Sequence, residues 1–270
     1  MEVAPLNRFL KLLLFVAAFL AANQPLSSQP QEKSVKREQL RFSHVRTASQ
    51  EKDAALREVF SRKSVAYPPK AILLRAFKKE GKLELWANGT GTGSYTLIKT
   101  YKICTSSGVL GPKRRFGDEQ VPEGFYLLDW FNPQSNFFLS MHISYPNAAD
   151  RILGSRQNPG GDIFLHGNCA SIGCIPISDD GIKEVYWLAV LVEDGGQKQL
   201  PIQIFPARLD DGGFRKLAAE HRGEPELIAF WSNLKEGFDL FEKTRQPVPV
   251  HVRKDGAYEF PVAGAASESR

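Results

Sequence analysis

Apolar and polar positions along this chain change rhythm several times. Leu12 to Ala22 is an unbroken apolar run behind Arg8 and Lys11. It is short for a membrane span and has the form of a secretory signal over residues 1–28, with an uncleaved short anchor as the alternative. Residues 29–69 read as a polar tether, reaching to about Ser49, and then a helix from Gln50 to Val65. Ala54, Ala55, Val59 and Phe60 recur near helical spacing there, and Tyr67-Pro68-Pro69 ends the helix.

From residue 70 the rhythm becomes that of strands rich in β-branched and aromatic residues. Ala71–Phe77, Lys82–Ala87, Tyr95–Cys104, Gly124–Trp130, Phe137–Tyr145, Asp162–His166 and Pro201–Pro206 are predicted strands. Gly89-Thr90-Gly91-Thr92-Gly93 joins two of them and reads as a hairpin turn, because no helix or Lys follows to make a phosphate loop. Pro146 to Gly161 reads as a long polar loop walling a cleft. Ile182–Val192 and Glu226–Lys243 carry apolar stripes at helical spacing, with Ser178 as N-cap before the first. Pro249 to Phe260 reads as a hairpin, and Val262 to Arg270 as a disordered end. The pattern predicts a mainly β domain with flanking helices over 70–208, followed by a C-terminal helical extension and hairpin over 209–270.

Composition narrows the partners. The 270 residues carry a net charge of +5 and 42% apolar residues, enough for a substantial core. No Lys/Arg run resembles a nucleic-acid arm, so nucleic acid is not an expected partner, whereas mild basicity suits an anionic polymer. Export places the three cysteines in an oxidising compartment.

The candidate chemistry is concentrated in Phe164 to Ser178, F-L-H-G-N-C-A-S-I-G-C-I-P-I-S. A thiol attacks a carbonyl as thiolate and needs a base nearby. His166 is the candidate base and Cys174 the candidate nucleophile. Gly173 frees the backbone beside the thiol, and the amides of Gly173 and Cys174 are candidate oxyanion donors. The helix start after Ser178 is expected to favour a thiolate. Two other readings stand beside this one: buried structural cysteines, and an open zinc site built from His166, Cys169 and Cys174. His142 reads as a sheet-surface histidine beside Ser140 and Ser144, on a face that can line the cleft.

H-G-(x)n-S-x-G-C resembles the active-site signature of the L,D-transpeptidase (YkuD-like) family of cell-wall enzymes. Gly111-Pro112-Lys113-Arg114-Arg115-x-Gly117-Asp118, Val121 to Tyr126, and Ile143-Ser144-Tyr145-Pro146-Asn147-Ala148-x-Asp150 extend the resemblance, which covers about Lys70 to Arg245. The wording is that of the YafK-like branch, in which Pro176 stands where the wider family has Arg. The resemblance implies an L,D-transpeptidase catalytic-domain β-sandwich and cysteine acyl transfer on peptidoglycan stem peptides at diaminopimelate. It implies no metal and no organic cofactor. It gives the Gly167 carbonyl the task of orienting His166, and Ser171 that of ordering the loop. Lys113, Arg114 and Arg115 are expected to dock stem carboxylates. The branch implies hydrolysis of a lysine–diaminopimelate amide that anchors a lipoprotein to the wall. Transfer to an amine and a non-catalytic wall-binding module are the alternatives. The expected protein is monomeric and periplasmic. Cys104 is expected to pair with Cys169, leaving Cys174 free, with two free structural thiols as the alternative.

Overall fold

The computed structural model describes Met1 and residues 34–261. The expected signal over 1–28, Met1 apart, and the expected disordered end at 262–270 lie outside the described residues. Helices and strands are numbered separately in chain order. α1 (Val35–Gln39) and α2 (Ser43–Arg62) precede β1 (Ala71–Phe77) and β2 (Lys82–Asn88). β1 serves two cores at once: Ile72, Leu74 and Ala76 enter the main core, while Leu73 and Phe77 enter clusters on the opposite face. A strand covered on both faces needs a nearly continuous apolar run, which is how A-I-L-L-R-A-F reads.

β3 (Thr96–Lys102), β4 (Gly124–Asn132), β5 (Ser140–Ile143), β6 (Phe164–His166), β7 (Ile175–Pro176) and β8 (Leu200–Phe205) complete the sheet. Its order is β3-β2-β1-β8-β4-β5-β6-β7, with parallel pairing at β1–β8 and β6–β7. The expected mainly β fold with flanking helices is present as one curled eight-stranded sheet. Leu83 on β2 and Leu165 on β6, far apart in strand order, share the main core. α2 and α4 (Ser178–Asp194) cover that core, α4 with Ile182, Val185, Tyr186 and Ala189 fully buried.

Two elements correct the sequence reading. The tether expected up to Ser49 is helical from Val35 onward, apart from a short turn after Gln39. The buried stripe of α2 is Val45, Ala48, Leu56 and Phe60, whereas Ala54 and Ala55 face solvent. Small apolar residues had marked the wrong face. The loop expected over 146–161 contains α3 (Ala148–Leu153), started by a capping box between Asn147 and Asp150.

The C-terminal elements are α5 (Asp211–Glu220), α6 (Pro225–Thr244) and a hairpin of β9 (His251–Val252) and β10 (Tyr258–Glu259). Trp231, Leu234 and Phe238 of α6 pack on Phe77 and Phe205 of the sheet. The described residues from Val35 onward form one compact unit, so the extension expected to begin at residue 209 forms the second core of the sheet. Among the described residues no helix is long and apolar enough to cross a membrane.

Candidate active site

The register of four neighbouring strands sets the site. Asn132, Ser140 and His166 pair across β4, β5 and β6, and so do Trp130, His142 and Phe164. Directly opposite residues share a face, so both rows project from one side of the sheet. Leu165 pairs with Ile175, which brings Cys174 beside Phe164 at the edge of β7. Phe164 N–H lies 3.4 Å from Cys174 Sγ. His166 and Cys174 line one cavity of about 170 Å³ with Asn132, Phe137, Ser140 and Phe164. A larger cavity of about 680 Å³, under the Pro247–Val250 segment, contains neither residue.

His166 is 1% exposed. Its Nδ1 is 2.5 Å from the Gly167 carbonyl, which can only accept, so Nδ1 carries the hydrogen and Nε2 keeps its lone pair. Burial lowers the His166 pKa, opposed by that bond. Phe137 stacks on the imidazole with ring centroids 4.5 Å apart. Gly167 has no room for a side chain: a Cβ there would lie 2.5 Å from Phe137 O and 2.6 Å from Asp179 Oδ1.

Cys174 is a free, half-buried cysteine. Burial pushes its thiol up, with Asp162 in the same direction and the Phe164 amide and Lys113 against it. The expected thiolate at rest is therefore corrected: desolvation outweighs the stabilisation expected from the start of α4. The N-cap expected at Ser178 falls one residue earlier, at Ile177, which makes no side-chain cap bond; Ser178, at φ 65°, is the first residue of α4 and its Oγ accepts from Gly181 N–H at 3.3 Å. Ser171 Oγ donates to the Cys174 carbonyl at 2.8 Å and accepts from Gly173 N–H at 3.3 Å, so it ties the loop together. Gly173, at φ 118°, needs glycine's freedom, but its amide already has an acceptor.

Cys169 is bonded to Cys104, with Cα atoms 5.2 Å apart. Its sulfur is thereby removed from the zinc set His166, Cys169 and Cys174. The bridge ties the exposed loop after His166 to the chain leaving β3, where Cys104 N–H also donates to Pro176 O at 2.9 Å.

The basic loop departs from its expected form. Lys113 is buried and pairs with Asp118 at 2.5 Å. Arg114 faces Asp150 at 3.6 Å and stacks over Phe230. Only Arg115 of the three is exposed. A turn around Asp118, which accepts from the amides of Arg114 and Arg115, turns two of the three cations inward.

Comparison with known proteins identifies the family. The family model for the L,D-transpeptidase catalytic domain (YkuD) matches residues 72–201. The chain is 36% identical to YafK of Escherichia coli K12, which carries an L,D-transpeptidase name, over 67% of this chain and 70% of that protein. The chain belongs to the L,D-transpeptidase family. Among solved structures, the helical cell shape determining protein Pgp2 of Campylobacter jejuni matches with 16% identity and TM-score 0.39, covering 78% of this chain and 82% of that one. Bd1075 of Bdellovibrio bacteriovorus matches with 18% identity and TM-score 0.36, covering 68% and 75%.

Two residues of this family member's site had no signal in the sequence. Phe137 was expected inside a strand but precedes β5, where a turn lays its ring over His166. Asp179 Oδ1 accepts from Asn168 N–H at 2.7 Å and so fixes the loop that carries the disulfide. The tell-tale for Asp179 is its place beside the cap of α4, which is legible only once the loop before it is known to turn back.

Proposed function

We propose that the protein is a cysteine acyltransferase that opens a lysine–diaminopimelate amide on peptidoglycan stem peptides and passes the acyl group to water. Cys174 Sγ attacks the diaminopimelate carbonyl while His166 Nε2 takes the thiol proton. The C–N bond breaks, the proton passes to the leaving lysine amine, and a thioester remains. Water then adds to the thioester carbonyl with His166 as base, the C–S bond breaks, Cys174 takes the proton back from His166, and the carboxylate product leaves. The Cys174 amide, which has no acceptor among the described residues, is the favoured oxyanion donor, and Gly173 shapes the turn behind it. The protein acts in the periplasm, detaching a wall-anchored lipoprotein.

One observation carries the reading. His166 has Nδ1 committed to Gly167 O and Nε2 unspent, and the one cysteine outside the disulfide lines the same cavity. A free thiol there favours catalysis over a non-catalytic wall-binding role. The Cys104–Cys169 bridge supports an oxidising compartment. Water is favoured as acceptor by Pro176, which removes a charge and a backbone donor beside the nucleophile, and by the likeness to the YafK-like branch. Transfer to an amine is the second reading, favoured by the family name.

The test supplies a muropeptide carrying a lysine-linked peptide, with and without excess D-amino acid, and weighs the products. Hydrolysis yields the free-carboxylate stem in both. Incorporation of the D-amino acid without that carboxylate would overturn the hydrolase reading and leave Cys174 and His166 in place.

A further inference from the structure

The row that ends at Cys174 continues across the sheet through Phe164, His142 and Trp130, and the reaction above does not use its far end. A register irregularity in β4 between Leu128 and Trp130 turns Asp129 and Trp130 to the same face. Asp129 Oδ1 accepts from His142 Nδ1 at 2.6 Å, with the two side chains 43% and 23% exposed. Trp130 is 56% exposed, its ring 6.4 Å from His142 and 5.9 Å from Phe164. The Phe164 ring lies 5.3 Å from His142, between it and Cys174. The result is an open carboxylate–imidazole pair, separated from the thiol by one aromatic side chain.

We infer that Asp129 and His142 form a subsite for the distal amino-acid head of diaminopimelate, the free ammonium and carboxylate at the end of its side chain. The inference rests on the stem-peptide reading of Cys174. Two strand spacings put His142 about 10 Å from the nucleophile. From the attacked carbonyl carbon, the extended diaminopimelate side chain reaches about 7–8 Å to its distal nitrogen, and a hydrogen bond of about 2.9 Å closes the rest. The methylenes then lie over Phe164. The second oxygen of Asp129 accepts from the ammonium. His142, held through Nδ1 by Asp129, turns Nε2 to the carboxylate as its donor. Trp130 closes the end of the track and offers its face to the same ammonium. Both charges of a zwitterion thus meet a partner, whereas a lysine side chain would satisfy only Asp129.

The experiment uses the full chain with Cys174→Ala and the fluorescence of Trp130. Trp86, Trp187 and Trp231 are at most 8% exposed, so iodide quenching reads Trp130 selectively. Three stem peptides are titrated: one ending in diaminopimelate, one with its distal carboxyl amidated, and one with lysine at that position. The expected result is binding of the first about tenfold tighter than the other two, the scale of one charge-assisted bond. Asp129→Asn and His142→Gln, each made in the Cys174→Ala chain and checked for an unchanged melting temperature, bring the ratio to within about twofold. Equal affinities without either change, a preference that survives in both variants, or no response to any peptide would overturn the inference. If the intact enzyme still opens the lysine–diaminopimelate amide in that event, the proposed function stands without this subsite. If it does not, both fall.

Discussion

Burial acts on the two central residues in opposite directions and leaves both neutral at rest. The Cys174 thiol is raised above its ordinary 9.0 and the His166 imidazole is lowered below its ordinary 6.5. In the proposed reaction the neutral pair is the competent form, since His166 must accept a proton and Cys174 must have one to give. Acid removes activity only when His166 protonates, and alkali only when the thiol ionises without help. The kcat/KM profile on a muropeptide is therefore expected to be flat across neutrality, with its acid limb below 6.5 and its alkaline limb above 9.0. An acid limb above 6.5 would contradict the neutral pair. Cys174→Ala is expected to abolish thioester formation, and His166→Ala to lose about 10²–10⁴-fold in kcat. That His166 and Cys174 line one site was legible in H-G…S-x-G-C. Their protonation was not, because desolvation depends on Phe137 and on the strands that bury His166.

The loops that frame the site are held by a few specific links. The stretch after His166 is tied by the Cys104–Cys169 bridge and by Asp179. The bridge closes 65 residues of chain, so Cys104→Ser is expected to cost about 2–4 kcal/mol of unfolding free energy, measured in urea without reductant. A loss under about 0.5 kcal/mol would mean that the ladder and Asp179 alone define the loop. Activity should also fall, through Gly167, whose carbonyl sets the His166 tautomer. In the basic loop, Arg115→Ala is expected to raise KM and weaken its salt dependence if this exposed cation docks a stem carboxylate before the reaction. Lys113→Ala is expected to lower stability instead, by stranding Asp118 in a nearly buried position. If Lys113→Ala changed KM alone and Arg115→Ala changed nothing, the docking role would belong to the buried lysine. The sequence showed three adjacent cations but not that two of them turn inward, because Asp118 sets that turn by accepting from backbone amides.

At the scale of the molecule, the longer strands and helices were legible because each has a strong period, whereas the short α1, α3, α5 and β7 and the division into parts were not. Residues 70–208 and 209–270 read as separate parts, a mainly β domain and a C-terminal helical extension and hairpin. The odd-numbered positions of β1 show why they are not. Leu73, Arg75 and Phe77 face away from the main core, and α6 is what covers them. Arg75 is fully buried; its Nη1 lies 2.6 Å from Glu242 of α6, and its guanidinium lies 4.4 Å from the Phe241 ring centroid. Trp231 Nε1 donates at 2.7 Å to Glu123, a fully buried carboxylate that pairs with Lys78 at 2.8 Å. Lys78 in turn holds the carbonyls of Gly111 and Val121, at the two ends of the basic loop. Two sets of buried charges thus join the sheet to the C-terminal helix, Arg75 with Glu242 and Lys78 with Glu123 and Trp231, and the second also holds the basic loop. Ending the chain at Arg208 would expose Phe77 and Phe205 and strand Arg75 without Glu242. The lost burial of Trp231, Leu234, Phe238 and Phe241 alone comes to about 6–12 kcal/mol, comparable with the whole stability of an ordinary domain. The truncated chain is therefore expected to lack a cooperative urea transition and near-ultraviolet dichroism, and to show no activity. A sharp transition in the truncated protein would establish that the sheet and its inner helices fold alone, and that the buried charges find other partners.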